Sequence, residues 1–215
     1  KVPILAAAMD GVVDVNFAVA MSKLGGIAVL NLNGVQTRYE DPGDVLEKIA
    51  HANPEEATKL VQSLYLKPVQ EKLIAKRIKE IKSKKGVAVV SSIPQDAERF
   101  GKIAQEAGAD IFVIQSTVIS VKHVSSEYKV VDLAKFIKSM KIPVILGNCV
   151  TYSVALELME TGPSALLVGI GPGAACTTRG VLGIGVPQVT ATSDIAAARD
   201  FYYKKTTKYI PIITD

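Results

Sequence analysis

The sequence has no tryptophan, and aromatic residues make up only 6% of its 215 positions. Hydrophobic residues still account for 48% of the chain, so its core must be largely aliphatic. A chain of this length and composition can bury such a core in one domain. Basic residues outnumber acidic ones by only 25 to 21, and the two signs are interleaved. Without aromatic residues beside the basic ones, this pattern argues against a nucleic-acid-binding surface.

Cysteine and histidine are also scarce, with two residues of each. Cys149 and Cys176 could in principle pair, but both are predicted at the ends of buried strands, where a reduced thiol is usual. This usage favours a cytoplasmic protein. Neither His51 nor His123 has a second histidine, a cysteine or a carboxylate at ligand spacing, so both are predicted as surface side chains and not as metal ligands.

Long apolar runs are missing too. None approaches the ~18–20 residues that a membrane helix requires, and Lys1-Val2-Pro3 does not begin a signal peptide. We therefore expect no membrane association. Short apolar runs predict strands at 3–8, 26–30, 87–91, 111–114, 143–146, 165–168 and 209–214. Short apolar strands that alternate with amphipathic segments indicate a parallel sheet covered by helices.

Helical patterns follow most of these strands, at 14–24, 94–107, 131–140, 152–160 and 194–205. After the second strand the pattern lengthens, and 33–85 is predicted to be a helical excursion that ends in a lysine-rich amphipathic helix. Seven strand units predict an α/β fold of the (β/α)8 TIM-barrel type, truncated after the seventh strand with the eighth βα unit absent. We expect residues 1–215 to form a single catalytic domain.

The most informative stretch is 165–191, A-L-L-V-G-I-G-P-G-A-A-C-T-T-R-G-V-L-G-I-G-V-P-Q-V-T-A. A buried strand runs into a loop that is rich in glycine and carries Cys176. Glycine lets the backbone approach a ligand closely and point its N–H groups at a phosphate. The stretch therefore predicts a nucleotide site with a thiol within reach of the bound molecule.

The segment V-G-I-G-P-G-A-A-C-T-T-R, followed by G-V-P-Q-V-T-A, resembles the catalytic-cysteine loop of the IMP dehydrogenase and GMP reductase family. Other segments agree in order and spacing, among them A-A-A-M-D-G-V-V-D at 6–14 and V-I-L-G-N-C-V-T at 144–151. The chain is most similar to the IMP dehydrogenase-related branch, which lacks the regulatory CBS modules. The helical excursion stands in their place.

The resemblance implies an NAD-dependent oxidation of IMP to XMP in guanine nucleotide biosynthesis, through a covalent adduct between the purine and Cys176. Thr178 would assist proton transfer. Two alternatives stay open: a GMP reductase-type conversion of GMP to IMP with NADPH, and a catalytically weakened regulatory homologue that binds nucleotide. The resemblance also implies a homo-oligomer, a tetramer or an octamer.

The same resemblance implies a set of binding residues. Substrate contacts are expected at Met9, Asn148, Gly171, Gly173, Ala174 and Asp215. Cofactor contacts are expected at Gln115, Ser116 and Thr117. The backbone carbonyls of Gly171, Gly173 and Cys176 are expected to hold a monovalent cation, usually potassium. Asp10 is expected to organise its loop.

Several positions depart from the family pattern. Ala7 and Ala174 stand where the family has serine, so two hydroxyl donors to the phosphate are lost. Gln115 stands where the dehydrogenases have a carboxylate, which leaves NAD or NADP open. The mobile flap and the rest of the phosphate site are expected beyond Asp215, so the chain as it stands is not expected to turn over.

Overall fold

A computed structural model describes residues 2–215, in which short strands alternate with helices. The strands are β1 (Leu5–Ala6), β2 (Ile27–Asn31), β3 (Val89–Ser92), β4 (Ile111–Gln115), β5 (Val144–Cys149), β6 (Ala165–Val168) and β7 (Ile212–Thr214). The helices are α1 (Val15–Lys23), α2 (Val35–Arg38), α3 (Pro42–Ala50), α4 (Pro54–Tyr65), α5 (Glu71–Ser83), α6 (Ala97–Glu106), α7 (Leu133–Ser139), α8 (Tyr152–Glu160), α9 (Thr178–Leu182) and α10 (Gln188–Thr206).

The strands follow sequence order in the sheet, β1-β2-β3-β4-β5-β6-β7. Parallel pairing aligns Val29 with Val89 between β2 and β3, and Leu166 with Ile212 between β6 and β7. Sequential parallel strands joined through helices confirm the predicted α/β class and the (β/α)-barrel type of sheet. Parallel pairing also places the carboxyl ends of neighbouring strands at the same edge, where loop residues can meet.

The chain divides into two compact units, of which the first comprises the residues up to Ser92 together with Arg99–Phe112. Its core includes the middle of β2 and the apolar face of α5, where four side chains are completely buried: Leu73, Ile74, Ile78 and Ile81. The predicted amphipathic helix is therefore confirmed. Its basic face is occupied within the unit, since Lys76 pairs with Glu40 and Lys82 pairs with Asp110, each at 2.7 Å.

The second unit comprises Ile93–Glu98 and Val113–Asp215. Strands β5 and β6 are buried along their whole length, as expected of short apolar strands inside a parallel sheet. Helices α8 and α10 pack against each other, and both contribute small or aliphatic buried side chains, including Leu158, Ile195 and Ala198. The prediction of one catalytic domain for residues 1–215 stays a prediction.

Helix starts are confirmed where a capping residue marks them. Asp14 caps α1 by accepting the Phe17 N–H at 2.7 Å, and a proline stands at the first position of both α3 and α4. The predicted start of α10 at 194 is wrong, because the helix already begins at Gln188, directly after Pro187. The short helices α2 and α9 are too brief to leave a periodic pattern. Within residues 2–215, no helix has the combined length and apolar character needed to cross a membrane.

Arg77 is expected to be the main polar support of the excursion in the first unit. Its side chain is only 6% exposed, and its guanidinium donates to the carbonyls of Gln36 at 2.9 Å and Glu40 at 2.7 Å. Arg77→Met should lower the free energy of unfolding by about 2–4 kcal/mol, because buried carbonyls lose their donors. Urea denaturation measures this loss.

Lys79→Met is the matched control for that variant, since Lys79 is an exposed residue of the same helix. A surface change of this kind should alter stability by no more than about 0.5 kcal/mol. Equal losses in the two variants would contradict the role assigned to Arg77.

Candidate active site

The two cysteines have opposite environments in the second unit. Both are free thiols, as predicted, but Cys176 is exposed whereas Cys149 is buried. The expectation that both lie at buried strand ends is therefore wrong for Cys176. It lies in the loop between β6 and α9, because glycines carry the chain out of the sheet after Val168.

Gly171 brings the backbone close to the Cys176 thiol. Its φ of +49° lies in the left-handed region, and a Cβ on Gly171 would stand 2.8 Å from the Cys176 Sγ and 2.9 Å from the Thr178 Cβ. A side chain there would be strained by its backbone conformation and would also collide with the thiol. Only glycine fits this position without displacing Cys176.

Thr178 is the nearest polar partner of the thiol, with 3.2 Å between the Cys176 Sγ and the Thr178 Oγ1. Hydrogen bonds from the Thr178 hydroxyl and then from its backbone N–H hold the pKa of Cys176 below its ordinary value. The Arg179 charge lowers that pKa further, while the Asp215 carboxylate and the slight burial oppose the shift. The net lowering raises the fraction of thiolate at a given pH, and thiolate is the reactive form of a nucleophilic cysteine.

Cys149 provides the contrast. Burial raises the pKa of its thiol to about 12, and the Sγ donates only a weak hydrogen bond to the Leu167 carbonyl at 3.7 Å. A buried thiol of this kind is an unreactive core side chain, and its position confirms the prediction of a reduced thiol at a buried strand end for Cys149.

Asp215 follows β7 and is anchored at the end of β6. Its N–H donates to the Val168 carbonyl at 3.0 Å, and its carboxylate acts on the Cys176 titration, as described above. The structure therefore brings Cys176, Thr178, Gly171 and Asp215 together at the carboxyl ends of β6 and β7. Their roles in binding a nucleotide stay predictions.

Two side chains that hold this loop were missed by the sequence analysis. Arg179 donates from its Nε to the Ile170 carbonyl at 2.8 Å, and from a terminal nitrogen to the Val186 carbonyl at 2.6 Å. It thus links residues 170 and 186, the two ends of the segment that contains the thiol. A glycine-rich loop has many carbonyls that find no hydrogen-bond donor in regular secondary structure. The need for such donors is the signal in the sequence for a nearby arginine.

Gln188 makes the second link. Its Nε2 donates to the Val168 carbonyl at 2.9 Å and lies 2.8 Å from the Thr214 Oγ1, so it joins the ends of β6 and β7. Its Oε1 is buried and has no hydrogen-bond partner among the described residues. The Gln188 side chain thereby fixes the two strand ends beside which Asp215 lies.

A second cluster forms around Asn148, which is buried at the end of β5. Gln115 donates from its Nε2 to the Asn148 Oδ1 at 3.2 Å. Backbone hydrogen bonds between Ser116 and the Gly147–Asn148 segment, at 2.9 and 3.0 Å, hold the two strand ends together. The Ser116 hydroxyl instead donates to the Val118 carbonyl at 2.6 Å.

Ser116 and Thr117 border a cavity of about 260 Å³ in the second unit. Apolar side chains such as Val118 and Ile119 line it, together with His123 and Tyr128. The rings of His123 and Tyr128 are stacked, with centroids 5.8 Å apart. His123 is exposed, as predicted. The cavity offers hydroxyl groups beside a flat, partly apolar surface.

The remaining predicted contacts lie in different settings. Gly173 accepts the Cys176 N–H on its carbonyl at 3.0 Å, and Ala174 is an exposed loop residue. Met9 belongs to the first unit and is 56% exposed. In that unit Asp10 accepts the Asn31 Nδ2 at 3.0 Å and the Val35 N–H at 3.1 Å, which confirms its predicted role as a loop organiser.

The family model of the IMP dehydrogenase / GMP reductase domain matches residues 1–215. The chain belongs to the IMP dehydrogenase/GMP reductase family. A solved IMP dehydrogenase/GMP reductase-like protein from Corynebacterium glutamicum is 33% identical, has a TM-score of 0.91, and is covered over 57% of its chain by the whole of this one. Family membership makes the chain part of an oxidoreductase family.

Among curated relatives, an uncharacterized oxidoreductase of Mycolicibacterium smegmatis is 35% identical over 225 residues, covering 100% of this chain and 59% of that protein. The inosine-5'-monophosphate dehydrogenase of Cryptosporidium parvum is 33% identical over 224 residues, covering 100% of this chain and 53% of that protein. The chain thus spans between 53% and 59% of the length of these two family members.

Thr178→Val should make Cys176 less reactive. The variant loses the hydroxyl that contributes most to the lowered pKa, so the pKa rises and the thiolate fraction at neutral pH falls. Alkylation by iodoacetamide, followed by mass spectrometry across a pH series, should show a midpoint shifted upward. Thr178→Ser keeps the hydroxyl and should behave as the parent. Cys149 is the internal reference and should stay unmodified; an unchanged midpoint in Thr178→Val would contradict the assignment.

Gly171→Ala should displace the thiol, since the new Cβ would meet the Sγ at 2.8 Å. The left-handed φ adds about 1 kcal/mol or more of strain. We expect a lower melting temperature and altered Cys176 alkylation. Gly173→Ala is the matched control, because a Cβ on Gly173 would meet nothing within 4 Å. Similar behaviour of the two variants would show that the close approach does not position Cys176.

Proposed function

We propose that this member of the family oxidises IMP to XMP with NAD, using Cys176 as the nucleophile. The observation that carries the proposal is the exposed Cys176 thiol with a lowered pKa, held 3.2 Å from the Thr178 hydroxyl. The Asp215 carboxylate at the neighbouring strand end supplies an acceptor suited to ribose hydroxyls. The chain covers just over half of its relatives' length, so its activity does not follow from family membership alone.

In the proposed reaction, the Cys176 thiolate adds to C2 of the hypoxanthine ring and forms a carbon–sulfur bond. Acceptance of the hydride that leaves C2 is the chemistry that NAD⁺ would supply when bound. Water then adds to C2 and expels the thiolate, which gives XMP and returns Cys176, while the proton from water passes to solvent through a base. The Thr178 hydroxyl stabilises the thiolate before attack and after release.

The cavity beside Ser116 and Thr117 supports a cofactor site. Its volume of about 260 Å³ and its stacked His123 and Tyr128 rings suit part of a flat aromatic ligand with a hydroxyl-bearing sugar. Ser116 and Thr117 would border the ligand, while the Gln115 amide is engaged with Asn148. A monovalent cation on the carbonyls of the thiol loop is part of the same proposal. Gly173 keeps one lone pair free of its bond to the Cys176 N–H.

The neutral side chain at Gln115 favours GMP reduction with NADPH as the second candidate. A carboxylate near an oxidised nicotinamide would stabilise its positive charge, and a neutral amide cannot. If Gln115 occupies the position that the family resemblance implies, the oxidised cofactor gains less here than in a typical dehydrogenase.

The test follows the absorbance of the reduced nicotinamide and uses the complete protein, as do the activity measurements on its variants. IMP with NAD should give an increase, whereas a decrease with GMP and NADPH would assign the reductase reaction instead. Alkylation of Cys176 is measured in parallel, and IMP should protect the thiol. Protection without either turnover would favour the regulatory homologue. Absence of both protection and turnover would refute nucleotide chemistry at Cys176.

Cys176→Ala should abolish turnover, because the covalent step loses its only nucleophile. Cys149→Ala is the matched control, since the same change is made at a buried thiol outside the reaction. That control should retain turnover, with a modest loss of stability from the core. Activity retained in Cys176→Ala would contradict the thiol mechanism.

A further inference from the structure

The excursion between β2 and β3 contains backbone carbonyls whose hydrogen bonds come from side chains and loop residues and not from regular secondary structure. Five consecutive carbonyls, those of residues 36–40, accept hydrogen bonds from Gln70 and Arg77. Gln70 donates its N–H to the Thr37 carbonyl at 2.9 Å and its Nε2 to the Arg38 carbonyl at 2.7 Å. The start and the end of the excursion are thereby fastened to each other.

Arg38 and Tyr39 link this segment to the end of α4 through further hydrogen bonds. The Arg38 guanidinium donates to the Tyr65 carbonyl at 2.9 Å and lies 5.3 Å from the centroid of the Tyr65 ring. The Tyr39 hydroxyl donates to the Leu64 carbonyl at 2.8 Å. Arg38 therefore holds Tyr65 in one place and one orientation, whereas the Tyr39 hydroxyl bonds to the backbone of the preceding residue.

The Tyr65 hydroxyl donates to the Asp10 Oδ2, although Tyr65 belongs to α4 and Asp10 to the loop after β1. Gly34 lies against the same carboxylate, and a Cβ on Gly34 would stand 1.9 Å from the Asp10 Oδ1. Burial, followed by the hydrogen bond and charge of Asp10, raises the pKa of Tyr65. The phenol thus stays protonated and remains the donor at physiological pH.

Asp10 directly follows Met9, and the Met9 carbonyl closes the turn that they share. It accepts the N–H groups of Val12 at 3.0 Å and Val13 at 2.8 Å. A residue that fixes the Asp10 carboxylate therefore also fixes the position from which the exposed Met9 side chain projects.

We propose that Tyr65 is a positioning residue for nucleotide binding: its hydroxyl fixes Asp10, and Asp10 fixes the turn that presents Met9. The excursion would then be the element that shapes one nucleotide-contacting loop from a distance in sequence. The inference rests on the proposed function and on one further expectation, that Met9 contacts the purine, as the family resemblance implies.

Tyr65→Phe tests the inference, because it removes only the hydroxyl that reaches Asp10. Tyr39→Phe is the matched control: it removes a hydroxyl from the same cluster, but one that donates to the Leu64 carbonyl. Hydrogen exchange at the Val12, Val13 and Val35 amides reports on the turn itself. Calorimetric titration with IMP and with GMP, the two nucleotides of the proposed reactions, reports on binding.

In Tyr65→Phe, exchange at these amides should rise about tenfold, since a hydrogen bond to a charged group is lost. The dissociation constant of the nucleotide that binds should rise about three- to tenfold. In the complete protein, KM should follow it, while kcat stays nearly unchanged, because no reacting group is altered. Tyr39→Phe should leave all of these values close to those of the parent, even if it lowers the melting temperature.

Unchanged exchange in Tyr65→Phe, or equal effects of the two variants, would overturn the proposal. So would faster exchange with an unchanged dissociation constant, since the turn would then not shape the site. If the parent protein binds neither IMP nor GMP, the proposed function fails together with the role of Met9. The exchange data would still show separately whether Tyr65 fixes the turn.

Discussion

The parallel pairing of β5, β6 and β7, with β6 and β7 in register, is the constraint on which the candidate active site depends. Parallel strands end at one edge of a sheet, so a residue that follows one strand meets residues that follow its neighbours. The Asp215 N–H bonds to the Val168 carbonyl for this reason, and Gly169 bonds from its N–H to the Cys149 carbonyl at 3.1 Å. A slip in this register would move Asp215 away from the thiol loop.

The thiol loop has little regular secondary structure, and this allows its backbone to approach Cys176 closely. Gly171 lets the backbone lie against Cys176, but a loop of this kind leaves carbonyls without partners. Arg179 and Gln188 supply those partners and so convert a flexible sequence into a defined frame. The reactive thiol needs both features: space for a ligand on one side and a fixed hydrogen-bond partner, Thr178, on the other.

The excursion shows a different use of polar contacts. Its helices bury an aliphatic face, yet its start and its end are joined through side chains that bond to backbone carbonyls. Such bonds have directional geometry, whereas aliphatic contacts tolerate sliding. Directional bonds therefore suit an element that must hold one loop, the turn of Met9 and Asp10, in a single position.

Much of the fold could be predicted from the sequence by itself, because short apolar strands, capping residues such as Asp14, and helix-opening prolines act locally. The cysteine loop could be recognised for the same reason, since its glycines and its thiol are contiguous. Tertiary structure alone decided which thiol is exposed and which distant donors complete each loop. Tyr65 lies far along the chain from Asp10, and Gln188 from Thr214, so neither contact leaves a pattern in the order of residues. Strand pairing and helix packing bring them together in space, and only there do their hydrogen bonds exist.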